Sequence, residues 1–335
     1  WPYRVYVTTD TPPTGLTADR NAFIGQSCTP VQPQLFAEGD DLGGFDERLG
    51  VDPAAVFQWN LTLAPGESQT IRLLTAIQPR AEAVPAALSP DLCESQSQAC
   101  TAYWDGIMNT LTVETPDREL NCFVNYWNKY QMLINNWFGR GPSYFHKGQY
   151  PAMRDCCQDS FGVLPLIPGE TRDKLLRVFS FMFRDGRIGA GCNRVVYDEN
   201  PTDKADLALW MVLTLKMYLL ETGDEAILDE TLPFLDGGES SVYEHILTGV
   251  QRVIDQRGEH GLPLLWNGDW NDALDMAGDK GKGESIWLAQ FLYYSLNELV
   301  YILEKKNDQA RIETYQTVAD ELREKANALE TACGP

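Results

Sequence analysis

The chain has 335 residues, of which 44% are hydrophobic; that is long enough for two domains with ample buried core and excludes a disordered protein. Its formal charge of −21 repels phosphate backbones, which excludes nucleic acid as a partner and disfavours a polyanionic substrate unless local arginines reverse the field. No run is apolar for long enough to span a bilayer, so no membrane partner is expected.

Trp1-Pro2-Tyr3-Arg4 is not a secretory signal, because no charged leader precedes an apolar core. A chain that goes from Trp1 straight into a strand and stops at Ala332-Cys333-Gly334-Pro335 is expected to be a piece of a longer protein. Residues 1–90 read as β. Tyr3 to Val7 is a β-rich run, and Phe57, Trp59, Leu61 and Leu63 alternate with Val56, Gln58, Asn60 and Thr62. Ala64-Pro65-Gly66-Glu67-Ser68 turns the chain, and Ile71, Leu73, Thr75 and Ile77 resume the period of two, which predicts a hairpin half-buried on one face. Pro79 to Cys100, rich in Ala, Pro, Ser and Gln, reads as a linker with room for a helical turn. Pro116 and Asp117 then suit a helix start.

From there the pattern is helical. Helices are expected over Leu120–Phe138, Thr171–Phe183, a strongly apolar stretch capped by Asp203 or Asp206 and stopped at Gly223, Ser240–Ile254, Glu284–Lys305 and Ile312–Leu329. With no strand expected between them, an all-α second domain follows. Three long polar loops interrupt it, Gly139–Asp159, Gly186–Thr202 and Gly258–Gly283, and loops of that length tend to carry function. If alternate connections share a face, all three cluster at one end.

The chemistry-bearing residues are concentrated in those loops. The first holds Arg140, His146, Lys147 and Arg154 in an otherwise acidic protein, and its Arg154-Asp155-Cys156-Cys157-Gln158-Asp159 packs a guanidinium, two acids and an amide into six residues. Such a fork of donors beside carboxylates can hold sugar hydroxyls or an oxyanion, or can form an ion pair at the start of a helix near Gln158. In the third, Gly261 to Leu274 (GLPLLWNGDWNDAL) sets Trp266 and Trp270 among Asp269, Asn271 and Asp272. Gly261, Pro263 and Gly268 argue for loop. Flat aromatic faces beside hydrogen-bonding acids suit a sugar ring, although an acidic turn with two anchoring tryptophans has the same composition. The glycines of Arg187 to Arg194 lack phosphate-loop spacing, and no nucleophile elbow is present. Eight cysteines form no CxxC pair and only three histidines exist, so no metal site is expected; the thiols read as reduced, in a cytoplasmic protein.

Taken together, TTDTPPTGLTADRNAFIG (Thr8 to Gly25), RDCCQD (Arg154 to Asp159), ETGDEAILDE (Glu221 to Glu230), HGLPLLWNGDWNDAL (His260 to Leu274) and GKGESIWL (Gly281 to Leu288) resemble glycoside hydrolase family 94, the inverting β-glycoside phosphorylases and cyclic β-1,2-glucan synthase. The resemblance implies a multidomain α+β chain: the end of a β-sandwich at 1–90, a helical linker at 91–116, and the first part of an (α/α)6-barrel catalytic domain at 117–335. It implies Asp272 as general acid, Arg154 and Asp159 as donor-sugar ligands, and Asp269, Trp270, Asn271 and Trp266 as further lining of the sugar site. It implies no cofactor, with inorganic phosphate as co-substrate, a β-linked oligosaccharide as the other substrate, and a homodimer. The phosphate ligands of the family belong to parts beyond this chain. Two departures bear on the individual substrate: HKGQYPAM stands where the family loop is usually glycine-rich, and Thr202 to Trp210 (TDKADLALW) matches SDDxLWL loosely.

Because phosphate is already an anion at neutral pH, one carboxylic acid suffices where an inverting hydrolase needs two. Asp272 is accordingly expected to stay protonated, raised by Trp270, Asp269 and limited solvent. A hydrolase or transglycosylase on the same barrel and a non-catalytic carbohydrate-binding module are the alternatives.

Overall fold

The computed structural model describes residues 2–25, 31–35, 42, 45–46, 52–83, 89–139, 152–189, 201–202, 204–274 and 276–333. The chain divides into two units, Trp1–Trp104 and Asp105–Pro335.

In the first unit β1 (Tyr3–Thr9) pairs antiparallel with β5 (Leu73–Pro79), running from Tyr3 opposite Pro79 to Thr9 opposite Leu73. A second sheet places β2 (Gly15–Asp19) between β3 (Phe45–Asp46), parallel, and β4 (Pro53–Gln58), antiparallel. The hairpin expected from residues 56–77 is therefore not formed. Its turn exists, since the Glu67 amide donates to the Ala64 carbonyl at 2.9 Å and Gly66 takes φ of 82°. Its arms diverge. Trp59 stacks on Phe57 and donates its indole N–H to the Thr11 carbonyl at 2.9 Å, and Asp10 takes the Arg72 amide at 2.9 Å. Both bonds reach the short link between β1 and β2, from which one arm continues along β2 as β4 and the other along β1 as β5. A short helix α1 (Arg20–Ile24) follows β2, capped by the Asp19 side chain, and the stretch expected to be linker contains α2 (Pro90–Met108), with Asp91 in its first turn.

The second unit is organised on α7 (Leu207–Thr222). From Leu207 to Leu215 it is buried on every side, with only Trp210 half-buried, and Leu209, Met211 and Leu215 are fully buried. Each such side chain contributes about 1.5–3 kcal/mol by leaving water. Gly223, at φ of 66°, ends the helix in a left-handed cap. Around α7 pack α5 (Met153–Val163), α6 (Pro168–Phe179), α8 (Val242–Asp255) and α9 (Ile286–Lys305), and α10 (Gln309–Cys333) packs on α9. A further helical stretch comprises α3 (Arg118–Cys122), a π turn at Phe123–Trp127 and α4 (Asn128–Phe138).

Three expectations are corrected. Arg154 to Asp159 lies inside α5 rather than in a loop, because Met153, Cys156, Cys157 and Ser160 bury one face of that helix. Helix α6 begins at Pro168 and stops at Phe179, since Gly186, at φ of 82°, folds Phe183 back to bond the Arg187 carbonyl at 2.8 Å. Strands do occur between helices: β6 (Ile188–Gly189) pairs with β7 (Pro201–Thr202), and β8 (Thr231–Pro233) pairs with β9 (Glu239–Ser241). Among the described residues no helix is long and apolar enough to cross a membrane, and Cys93, Cys100 and Cys122 are free thiols.

Candidate active site

Arg154 stands in the first turn of α5, and Asp206 immediately precedes α7. The arginine's Nη1 donates to Asp206 Oδ2 at 2.9 Å and to the Asp269 backbone carbonyl at 3.1 Å. Its Nη2 donates to Asp272 Oδ1 at 2.8 Å, and Lys204 Nζ reaches the same oxygen at 2.8 Å. One guanidinium thus joins α5, the start of α7 and the third loop. Residues 140–151 and 190–200, which carry Arg140, His146, Lys147 and most of the second loop, lie outside the described residues.

The third loop is held by its backbone. Leu264 bonds the Gln256 carbonyl at the end of α8, Leu265 bonds Gly283 before α9, and the Gly268 carbonyl accepts from the Ala205 amide at 3.1 Å before α7. Trp266 takes φ of 47°, and Gly278 lies so close that a Cβ there would fall 2.2 Å from the Trp266 carbonyl oxygen. The loop reading of Gly261 to Leu274 holds, apart from a 3-10 turn at Asp272–Leu274.

Asp269 does not face outward. It is buried, its Oδ1 accepts the Asn271 amide at 2.8 Å and the Asn271 side-chain Nδ2 at 3.0 Å, and its Oδ2 accepts the Ser285 hydroxyl at 2.7 Å. Ser285 in turn caps α9 through the Leu288 amide at 3.0 Å. Both carboxylate oxygens are thereby engaged within the protein, so Asp269 shapes the loop and contributes only its carbonyl to Arg154. Trp266 keeps its indole nitrogen buried, whereas Trp270 is 52% exposed.

Asp272 is the main correction. Its side chain is 67% exposed. The partial burial that would raise its carboxyl is outweighed by hydrogen bonds from Lys204 and Arg154 and by their charges, so it is held below the ordinary carboxylate value and ionised. The expected protonated acid in limited solvent is not what this arrangement holds, because two cations meet at one of its oxygens. Asp159 lies five residues after Arg154 on α5, about 140° round the helix. It is half-buried and does not share Arg154's face.

Residues 103–331 match the family model described as the glycosyl hydrolase 94 superfamily catalytic domain, and residues 1–89 match that of the glycosyl hydrolase 94 supersandwich domain. The chain belongs to glycosyl hydrolase family 94. It is 31% identical to solabiose phosphorylase of Paenibacillus borealis over 94% of its own length and 40% of the relative's. It is 28% identical to cellobionic acid phosphorylase of Neurospora crassa, over 97% of its length and 41% of the relative's. It is 27% identical to cyclic beta-(1,2)-glucan synthase NdvB of Rhizobium meliloti, over 95% of its length and 12% of the relative's. The chain therefore spans about two fifths, or less, of the length of these curated relatives.

Within this family 94 chain, sequence reasoning missed Lys204, Trp210, Ser285 and Trp287, and read Asp206 only as a helix cap. No side-chain capping bond forms at Asp206; its Oδ2 also accepts the Trp210 indole N–H, at 3.0 Å. The signal was an acid four residues before a tryptophan at the start of a strongly apolar helix, a spacing that puts both on one face. From Trp210 an aromatic row runs to Phe291 at 4.7 Å, then Trp287 at 5.1 Å, then Trp270 at 6.4 Å. Trp287 and Phe291 are one helical turn apart on α9, a spacing also visible in the sequence.

Proposed function

We propose that the protein carrying this chain is an inverting phosphorylase of β-linked gluco-oligosaccharides, reversibly forming an α-sugar 1-phosphate, with Asp272 as the proton-transferring residue and inorganic phosphate as nucleophile. In this reading Arg154 and Trp270 hold the donor sugar, and Asn271, Trp266, Asp159 and Asp269 complete or support its site. The second unit is the first part of an (α/α)6 barrel, the protein acts as a cytoplasmic homodimer, and the phosphate ligands lie beyond this chain. The observation that carries the reading is the Asp272 carboxylate, at 2.8 Å from Arg154 and beside the exposed Trp270. The phosphorylases among its relatives support it.

In phosphorolysis the proton on Asp272 passes to the glycosidic oxygen as its bond to C1 breaks, while a phosphate oxygen forms the new bond to C1 from the opposite face. The carboxylate that remains is the species paired with Arg154 and Lys204 here, so these cations stabilise the state after proton transfer. In synthesis the same carboxylate takes the proton of the acceptor hydroxyl as that oxygen attacks C1 and phosphate departs. Protonation for the forward direction requires the cations to turn toward bound sugar, whose hydroxyls accept from Arg154.

The test offers α-glucose 1-phosphate and a panel of sugar acceptors to the full-length protein and measures phosphate release. Asp272→Asn is expected to lower turnover by about 10²–10⁴-fold and to leave sugar affinity nearly intact. Turnover at the parent rate in that variant would refute the assignment.

A further inference from the structure

We propose that Asp206 is the positioning residue of this site, fixing at once the guanidinium of Arg154 and, through Trp210, the aromatic row that ends at Trp270. The inference rests on the reading of Arg154 and Trp270 as sugar ligands and adds the group that sets where both of them sit.

The Asp206 side chain is fully buried, and one of its oxygens does all the bonding seen. Oδ2 accepts Arg154 Nη1 at 2.9 Å from α5 and the Trp210 indole N–H at 3.0 Å from its own helix. Oδ1 is buried with no hydrogen-bond partner among the described residues. A stability role explains this poorly. An apolar residue of similar volume is often as good as a buried ion pair, and an unpartnered buried oxygen costs about 1–3 kcal/mol. The arrangement does restrict geometry. Both hydrogens of Nη1 are engaged, by Asp206 and by the Asp269 carbonyl, so the fork has one orientation and presents Nη2 toward Asp272. On the other side, the indole bond fixes the ring plane of Trp210. Phe291 packs against that plane, Trp287 against Phe291, and Trp270 against Trp287. The polar and the aromatic walls of the site therefore share one buried origin at the first turn of α7.

A second consequence separates positioning from mere packing. The Asp206 charge partly offsets Arg154, which with Lys204 is the charge facing Asp272. Without it, the undivided guanidinium charge stabilises the Asp272 carboxylate further, and the pH limb of phosphorolysis that requires the protonated acid moves to lower pH.

The experiment compares Asp206→Asn with the parent in the full-length protein. It uses α-glucose 1-phosphate as donor, the acceptor that gives the highest parent rate, and thermal unfolding to verify the fold. Expected are a donor KM raised by about ten-fold or more, an acceptor KM within about two-fold of the parent, and, in this synthetic direction, the limb that requires the ionised Asp272 carboxylate at lower pH, because the same group sets both limbs. A folded Asp206→Asn with parent donor KM and parent pH limb overturns the proposal. If that variant does not fold, Trp210→Phe decides, because it keeps the ring and deletes the N–H: a donor KM raised about three-fold or more supports the proposal and an unchanged one overturns it. Failure of the proton-transfer reading looks different, since it shows as parent turnover in Asp272→Asn, whatever Asp206→Asn does to the donor KM.

Discussion

Arg154 is gripped by two carboxylates at nearly equal distance, Asp206 at 2.9 Å on the floor of the site and Asp272 at 2.8 Å on its rim, and the protein shifts the two in opposite directions. Burial raises Asp206 against the pull of Arg154, whereas Asp272, two-thirds exposed, is lowered by Lys204 and Arg154. The distances are the same; the solvent is not. A buried acid cannot exchange its cation for water, so the floor contact is permanent structure. The rim contact can open at little cost, as the proton transfer proposed for Asp272 requires.

The largest expected effect breaks the floor while leaving the rim in water. Arg154→Met strands the Asp206 carboxylate without its cation and is expected to cost about 3–5 kcal/mol in urea unfolding of the second unit. Asp272→Asn removes only an exposed partner, and its cost is expected to stay within about 1 kcal/mol. Equal losses in the two variants would erase the distinction between floor and rim.

Much of this was legible in the sequence, for reasons tied to particular residues. Helix α7 declared itself because a largely apolar stretch, Leu207 to Leu220 broken only by Thr214 and Lys216 and followed within three residues by Gly223, has few other uses, and Gly261, Pro263 and Gly268 marked the loop. Arg154, Asp272 and Trp270 do converge, from segments more than a hundred residues apart. The charge state of Asp272 was not legible, because it depends on Lys204, and no local pattern says that a lysine before α7 reaches over the loop. The pairing of β4 and β5 was hidden for a similar reason. Alternation gives the period of a strand but not its partner, and the competing partners, β1 for β5 and β2 for β4, lie about forty to seventy residues earlier in the chain.

A smaller effect refines the comparison from inside the loop. Ser285 gives its hydroxyl proton to the buried Asp269 and accepts from the Leu288 amide, so it links the rim to the start of α9. Ser285→Ala loses a helix cap and leaves one Asp269 oxygen short of a partner, with an expected cost of about 1–2 kcal/mol. Because Asp269 positions Asn271 and its carbonyl meets Arg154, the variant is also expected to raise the sugar KM in the phosphate-release assay. A stability loss with parent KM would show that the rim holds its shape without this link.

The smallest expected effect is dependent on pH and lies at the base of the loop. The Glu284 carboxylate meets the His260 ring at 2.5 Å and accepts the amides of His260 at 3.1 Å and Leu262 at 2.9 Å. Partial burial acts to raise Glu284, but the His260 ring and these amides prevail and lower it, while Glu284 raises exposed His260 above its ordinary 6.5. The acid's contribution is therefore present above 4.5 and is lost as pH falls through its lower folded value. The histidine's contribution is complete below 6.5 and is lost as pH rises through its higher folded value. His260→Ala is expected to melt below the parent by the largest margin between these limits, with the two curves converging as pH rises past the folded histidine value. The expected rim behaviour is this gradual loss. A margin independent of pH would mean that the two amides, not the charge pair, hold the loop, and the base of the rim would then resemble the floor.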